Sequence, residues 1–124
     1  MAKKRIFVVH EHHATYLHWD LRLEMDKVLK SWAVPKKLPT KKGVKRLAIQ
    51  VDDHDLDYAD FEGEIPKGMY GAGEVLIWDK GEYDLVEREK DKIVADFKGK
   101  KLKGKYALVR FKKTGENNWL FFKL

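Results

Sequence analysis

From Leu17 to Met25 the chain alternates without a break: Leu17, Trp19, Leu21, Leu23 and Met25 are apolar, and His18, Asp20, Arg22 and Glu24 between them are titratable. Successive side chains of a strand point to opposite faces, so this period of two predicts a β-strand with one core face and one face of functional groups. A helix would wind both sets around its axis and bury neither cleanly. Residues 46–54 predict a second strand of the same kind, with Leu47, Ile49 and Val51 on one side and Arg46, Gln50, Asp52 and His54 on the other.

Shorter runs predict strands at 5–9, 28–34, 74–78, 94–97, 105–112 and 119–124, separated by turn signals at 79–81, 99–104 and 115–118. Strands at this spacing predict a mainly β fold with little helix, built as a compact antiparallel barrel or sandwich. The single helical candidate, 83–92, is charged nearly throughout and reads equally as a solvated loop. Residues 35–45, with two prolines and five lysines, read as an exposed loop. The chain's 124 residues fit one domain over 1–124, without repeats or an interdomain linker.

The absence of cysteine excludes disulfide frameworks, thiol catalysis and thiolate zinc sites, so a metal would have to sit on His, Asp or Glu. Lys and Arg number 26 against 20 acids, a net charge of +6 that favours a polyanionic partner such as nucleic acid. No apolar run reaches membrane-spanning length, and residues 1–5 lack a signal peptide's apolar stretch. A cytoplasmic protein without membrane contact is expected.

Four of the five histidines, His10, His12, His13 and His18, fall within nine residues, and Asp20 follows His18 by two. Strand positions two apart point the same way, about 6.5 to 7 Å from each other, so His18 and Asp20 can converge on one ion if a neighbouring strand or loop brings His12 over them. Two imidazoles and a carboxylate leave coordination positions for water and substrate, and without thiolates they suit manganese, iron or zinc. The competing reading is an ordinary solvated polar face. His10 and His13 read as bystanders.

Arg22 shares the face of His18 and Asp20, where its guanidinium either grips a phosphate in a fork or pairs with Asp20 or Glu24. Arg46 and His54 share the second polar face and Lys36 stands at a loop entrance, so the three together can surround an anion. Tyr58 reads as a packing residue at the edge of the core. The glycines of residues 67–73 lack the Gly-Lys-Ser/Thr and following helix of a phosphate loop, and read as a tight turn into the strand at 74.

The tract from Phe7 through His12, His18-Trp19-Asp20-Leu21-Arg22 to Glu24 resembles the signature of the 3′-phosphoesterase domain of bacterial DNA ligase D and its stand-alone relatives. Leu29 to Lys36, Asp53-His54 with Leu56-Asp57-Tyr58, Phe61-Glu62-Gly63, and Ile65-Pro66 through Gly73 match in the same order. The resemblance implies a β-barrel-like fold with a crescent groove, His12, His18 and Asp20 as metal ligands, and Arg22, Lys36, Arg46 and His54 around a phosphate with Tyr58 close by. The implied activity is removal of a 3′-terminal ribonucleoside and then of the 3′-phosphate. Manganese is the implied cofactor, with zinc or cobalt as alternatives. Implied partners are nucleic acid with a recessed 3′ end, as in a primer-template, and a separate DNA ligase or polymerase. The family commonly carries Gln-Lys where this chain has His10-Glu11, Glu at Asp52 and Gly at Lys27.

Two readings of other classes stand beside this one. His18 and Asp20 with a distant His54 mimic the two-histidine, one-carboxylate triad of a non-heme iron oxygenase. A catalytically silent, basic nucleic-acid-binding module would need the surface charge alone.

Overall fold

The computed structural model describes residues 4–124. Its strands are β1 (Arg5–His13), β2 (Leu17–Met25), β3 (Val28–Val34), β4 (Lys45–His54), β5 (Gly63–Ile65), β6 (Gly73–Glu89), β7 (Lys92–Lys98), β8 (Lys103–Arg110) and β9 (Asn118–Lys123). Eight of them close an antiparallel barrel in the order β1-β2-β3-β4-β9-β8-β7-β6, with β6 returning to β1; the short β5 pairs only with the start of β6. Closure leaves no long sheet edge exposed. Two 3₁₀ turns, Leu56–Asp60 and Lys112–Thr114, are the helical segments among the described residues. No helix there is long and apolar enough to cross a membrane.

The barrel is filled by one inner face of each strand. Phe7, Val9, Leu21, Leu23, Trp32 and Val34 meet Phe97, Tyr106 and Phe121 in a single apolar cluster. Phe97 stands edge-on to Phe7 and to Tyr106, at centroid distances of 4.9 and 5.4 Å, and Tyr106 stacks on Phe121 at 4.9 Å. Each buried tyrosine hydroxyl has an acceptor: Tyr83 donates to the Glu24 carbonyl and Tyr106 to that of Pro39, at 2.6 and 2.8 Å. These bonds remove the cost of placing hydroxyls in an apolar interior.

Two sequence expectations fail in β6. The turn signals at 79–81 and residues 83–89 of the helix-or-loop candidate lie within one strand of 17 residues; the rest of the candidate is the turn at 90–91 and the first residue of β7. The turn-like Asp79 caps a different segment. Its buried carboxylate accepts from the backbone N–H groups of Lys100, Lys101 and Leu102 at 2.8 to 3.0 Å, fastening the turn between β7 and β8. The charges of 83–89 are the outward half of a strand whose Tyr83 and Leu85 face the core.

The inner face alone does not account for β1 to β3. Val8 and Leu29, on the opposite side of the sheet, are fully buried beneath Ala59 of the 3₁₀ turn, with Ile6, Leu56, Tyr58 and Ile77 around them. This outer cluster pins residues 56–60 onto the barrel wall, and the functional face of β2 lies beside it.

A β-bulge separates the two halves of β4. Leu29 pairs with His54 while Ser31 pairs with Val51, so one extra residue intervenes on β4. Val51 and His54 therefore line the same cavity, while Gln50 turns the other way and accepts from Trp119 Nε1 at 3.1 Å. The expected shared face of Arg46, Gln50, Asp52 and His54 is corrected accordingly, since an inserted residue inverts the alternation beyond it.

The β2–β3 hairpin turns through Asp26 and Lys27, both with positive φ (56° and 67°) between the closing pair Met25 and Val28. Such a two-residue turn favours glycine at its second position, because a side chain there is strained. Lys27→Gly should raise the stability by about 0.5–1 kcal/mol, or roughly 2–4 °C in melting temperature, once the entropy cost of glycine is set against the relieved strain. A thermal melt checks this, and a lower Tm would contradict the turn geometry.

Candidate active site

The β1–β2 register places the site. His12 lies opposite His18, His10 opposite Asp20 and Val8 opposite Arg22, so five polar side chains and the outer apolar cluster share one face of the barrel. One ligand atom from each of His12, His18 and Asp20 lies within 4.8 Å of the others. The adjoining cavity, about 340 Å³, is also lined by Arg22, His54, Tyr58 and Tyr70.

Each histidine of the trio is held by a backbone carbonyl. His12 Nε2 lies 2.8 Å from the oxygen of Gly71, and His18 Nδ1 lies 3.2 Å from that of Tyr16. Carbonyls only accept, so both ring nitrogens carry the proton. In the neutral rings the lone pairs then lie on His12 Nδ1 and His18 Nε2, which face Asp20 Oδ2 at 3.6 and 3.3 Å. Anchoring one ring nitrogen to fix which other nitrogen is free is the usual support for a metal-binding histidine. The donor set fits a divalent ion with three protein ligands and open positions. Gly71 reaches His12 with φ of +77°, and a Cβ on Gly73 would lie 2.2 Å from the His13 carbonyl, so the turn at 71–73 can approach β1 only as glycine.

The electrostatics of the site follow from burial. Burial alone would raise the Asp20 carboxyl, but the hydrogen bond it accepts from His18 Nε2 when that ring is protonated, together with the Arg22 charge, outweighs it and holds its pKa below the ordinary value. The same hydrogen bond raises His18 against the opposing effect of burial. His54 is lowered by burial and by Arg22, so in the free domain its imidazole is neutral at neutral pH. It stacks on Tyr58 at 4.4 Å; Tyr58 stacks in turn on Phe61, and the Arg22 guanidinium lies 5.0 Å from the tyrosine ring centre. Tyr58 thus wedges His54 and Arg22 into position, a role beyond the core-edge packing its sequence suggests.

Arg22, 4% exposed, is fixed at three of its five N–H groups: Nε donates to His10 Nδ1 at 3.1 Å, Nη1 to Ser31 Oγ at 2.9 Å and Nη2 to Asp20 Oδ2 at 3.4 Å. One N–H on each terminal nitrogen is left for a ligand. His10, read from sequence as a bystander, is fully buried and donates from Nε2 to the Phe61 carbonyl at 3.1 Å. It is the neutral link between Arg22 and the loop that carries Tyr58. Sequence reasoning missed it because its partners are 12 and 51 residues away. His13 does remain outside, exposed and paired with Glu11.

Lys36 and Arg46 do not line this cavity. They line a separate depression of about 210 Å³ with Pro35, Lys45 and Leu47, and Arg46 Nε donates to the Lys37 carbonyl at 2.9 Å. His54 lies outside the trio, and the second histidine of the triad is His12.

Fold and site together define an antiparallel β-barrel with a buried two-histidine, one-carboxylate cluster beside a buried arginine. A family model described as the DNA ligase D 3′-phosphoesterase domain matches residues 10–110. The chain is 48% identical over 122 residues to the multifunctional non-homologous end joining DNA repair protein LigD of Mycobacterium tuberculosis (strain H37Rv), covering 95% of this chain and 16% of that protein. It is 46% identical over 123 residues to the multifunctional non-homologous end joining protein LigD of Pseudomonas aeruginosa, covering 94% of this chain and 15% of that protein. The chain belongs to the DNA ligase D 3′-phosphoesterase domain family, and it spans about one sixth of the length of these relatives.

His10 carries the site's clearest pH dependence. Burial and the Arg22 charge lower its pKa from 6.5 to about 4, so the unfolded chain binds a proton here over a range in which the folded domain does not. The resulting stability is complete above pH 6.5 and is lost as pH falls toward 4, by about 3 kcal/mol across that window. His10→Gln keeps an acceptor for Arg22 and a donor for Phe61 without the titration. Melting at pH 7 and pH 4.5 should show the variant losing less stability than the wild type. His18 acts in the opposite sense but is common to both proteins. Equal losses would mean that His10 is not held neutral.

Proposed function

We propose that this domain is a metal-dependent 3′-end-processing phosphoesterase of DNA end joining, a hydrolase that removes a 3′-terminal ribonucleoside and then the 3′-phosphate to leave a 3′-hydroxyl. The observation that carries this reading is one cavity holding both the His12, His18 and Asp20 cluster and a buried arginine with free N–H groups. Family membership supports it, as do the end-joining repair names of the relatives.

His12, His18 and Asp20 would hold the ion, with manganese proposed on the family resemblance and zinc or cobalt as alternatives. When bound, the ion supplies Lewis-acid polarisation of a phosphoryl oxygen and makes water a nucleophile at neutral pH. Arg22 directs its two remaining N–H groups to the other phosphoryl oxygens, prepositioned by His10, Ser31 and Asp20 so that no rearrangement is needed as charge builds. A phosphate dianion beside His54 raises the imidazole's pKa, which suits it to brace the phosphate as a cation or to protonate the leaving oxygen. Lys36 and Arg46 add positive charge in the neighbouring depression. No ion pair among the described residues involves Lys36, Lys37, Lys41 or Lys42, which are free to follow a phosphate backbone without reading bases. The strand so held would be a primer with a recessed 3′ end, and the product would pass to a ligase or polymerase.

The proposed ion and Arg22 together match a monoester, with up to two negative charges, better than a diester with one. The diester step therefore needs a further contact, which a ribose 2′-hydroxyl can supply. With manganese and a primer ending in one ribonucleotide, gel mobility over time should show nucleoside loss, a transient 3′-phosphate, then a 3′-hydroxyl one nucleotide shorter. An all-deoxy primer should resist the first step. Equal trimming of both primers, or no phosphate intermediate, would overturn the proposed order.

Arg22→Lys should be nearly as harmful to turnover as Arg22→Ala, because one ammonium cannot serve His10, Ser31, Asp20 and a forked phosphate contact together. Losses of about 10²-fold or more in kcat are expected for both. Full activity in the lysine variant would reduce Arg22 to a simple charge.

A further inference from the structure

Two loops orient the metal-binding histidines, and both also carry large side chains that pack against nothing. The Tyr16 carbonyl fixes His18, while the Tyr16 ring is 83% exposed. The Gly71 carbonyl fixes His12, and the preceding Met69 and Tyr70 are 62% and 97% exposed. Between the loops runs a second depression of about 410 Å³, lined by Tyr16, Met69 and Ala72 among others. It shares Ala14, His18 and Gly71 with the active-site cavity, so the two form one continuous trough.

The two ends of that trough differ in chemistry. One holds Asp20, Arg22, His54 and the histidine pair. The other is lined by no Asp, Glu, Lys or Arg, in a chain with 46 such residues among its 124. A ligand filling both ends carries a phosphate at one and a flat, uncharged, largely apolar group at the other. A nucleotide has that shape, and its base is the flat group.

On the phosphoesterase reading above, we infer that the trough seats the nucleobase of the terminal nucleotide whose phosphate lies in the cavity, with Tyr16, which lines the uncharged end, and Tyr70, which lines the cavity, as its stacking platform. Every base offers a π-face, and no Asn, Gln, Arg or Lys lines the uncharged end to read a base edge. The platform therefore holds the end of the strand without sequence preference.

The test compares two manganese-supplemented primer-templates: one ends in an ordinary ribonucleotide, the other in a ribose lacking its base. For the Tyr16→Ala/Tyr70→Ala double variant, KM for the base-bearing strand should rise roughly 5- to 150-fold, the range of stacking energies at one base, with kcat within about twofold. KM for the abasic strand should not change, and Tyr16→Trp/Tyr70→Trp should restore the base-bearing value. An equal rise on both strands, or no rise on either, would overturn the platform. If the wild type cleaves neither strand, the phosphoesterase reading fails. Fluorescence anisotropy of the same labelled strands then decides the platform, which requires tighter binding of the base-bearing end in the wild type alone. Sedimentation showing a wild-type dimer that Tyr16→Ala dissociates would also overturn it, by placing a second copy on this face.

Discussion

Asp20 and Arg22 lie two positions apart on β2, 5% and 4% exposed, with Nη2 3.4 Å from Oδ2. Burying such a pair costs several kcal/mol per ion unless each remaining lone pair and proton finds a partner, and leaving one of them uncompensated costs about 3–5 kcal/mol. The surrounding structure supplies the partners. His10 and Ser31 take two guanidinium donors, and His18 and His12 face the carboxylate. His10 in turn needs the Phe61 carbonyl, which requires the segment after the 3₁₀ turn to lie against the barrel. The outer apolar cluster of Val8, Leu29 and Ala59 keeps it there. A charged site and a small second core therefore hold each other in place.

The same economy governs the loops. Residues 14–16 and 69–73 orient His18 and His12 through main-chain carbonyls, which leaves their side chains free for the rim of the trough. Histidine orientation and the proposed base contact thus rest on different atoms of the same two loops. Changing an exposed tyrosine ring should leave the carbonyl and its histidine undisturbed.

Much of this was legible in the sequence. The alternation of Leu17–Met25 identified β2 to the residue, and the spacing of His18 and Asp20, with His12 across the hairpin, is what the β1–β2 register delivers. Legibility failed where a local pattern is overruled by a distant partner. Asp79 reads as a turn former because its acceptors serve a turn some twenty residues on. The charges of 83–89 conceal a stretch of strand whose core contacts come from Tyr83 and Leu85. Arg46 and His54 look cofacial until a bulge, which leaves no mark in the sequence, inverts the alternation between them. His10 is the instructive miss. Its role comes from an arginine on the next strand and a carbonyl 51 residues away, neither of which periodicity can see. The competing reading of a solvated polar face does not hold for Asp20 and Arg22, which are buried beside the 3₁₀ turn and the stacked Tyr58 and Phe61.

The central claim is that His12 Nδ1, His18 Nε2 and Asp20 Oδ2 form a prebuilt site for one divalent ion. Anomalous diffraction from crystals grown with manganese tests it most directly. The account predicts a single strong peak within bonding distance of those three atoms, with the Gly71 and Tyr16 carbonyls still on the opposite ring nitrogens. A peak on His10 or His13, or an ion bound only by surface carboxylates with the trio bare, would contradict it.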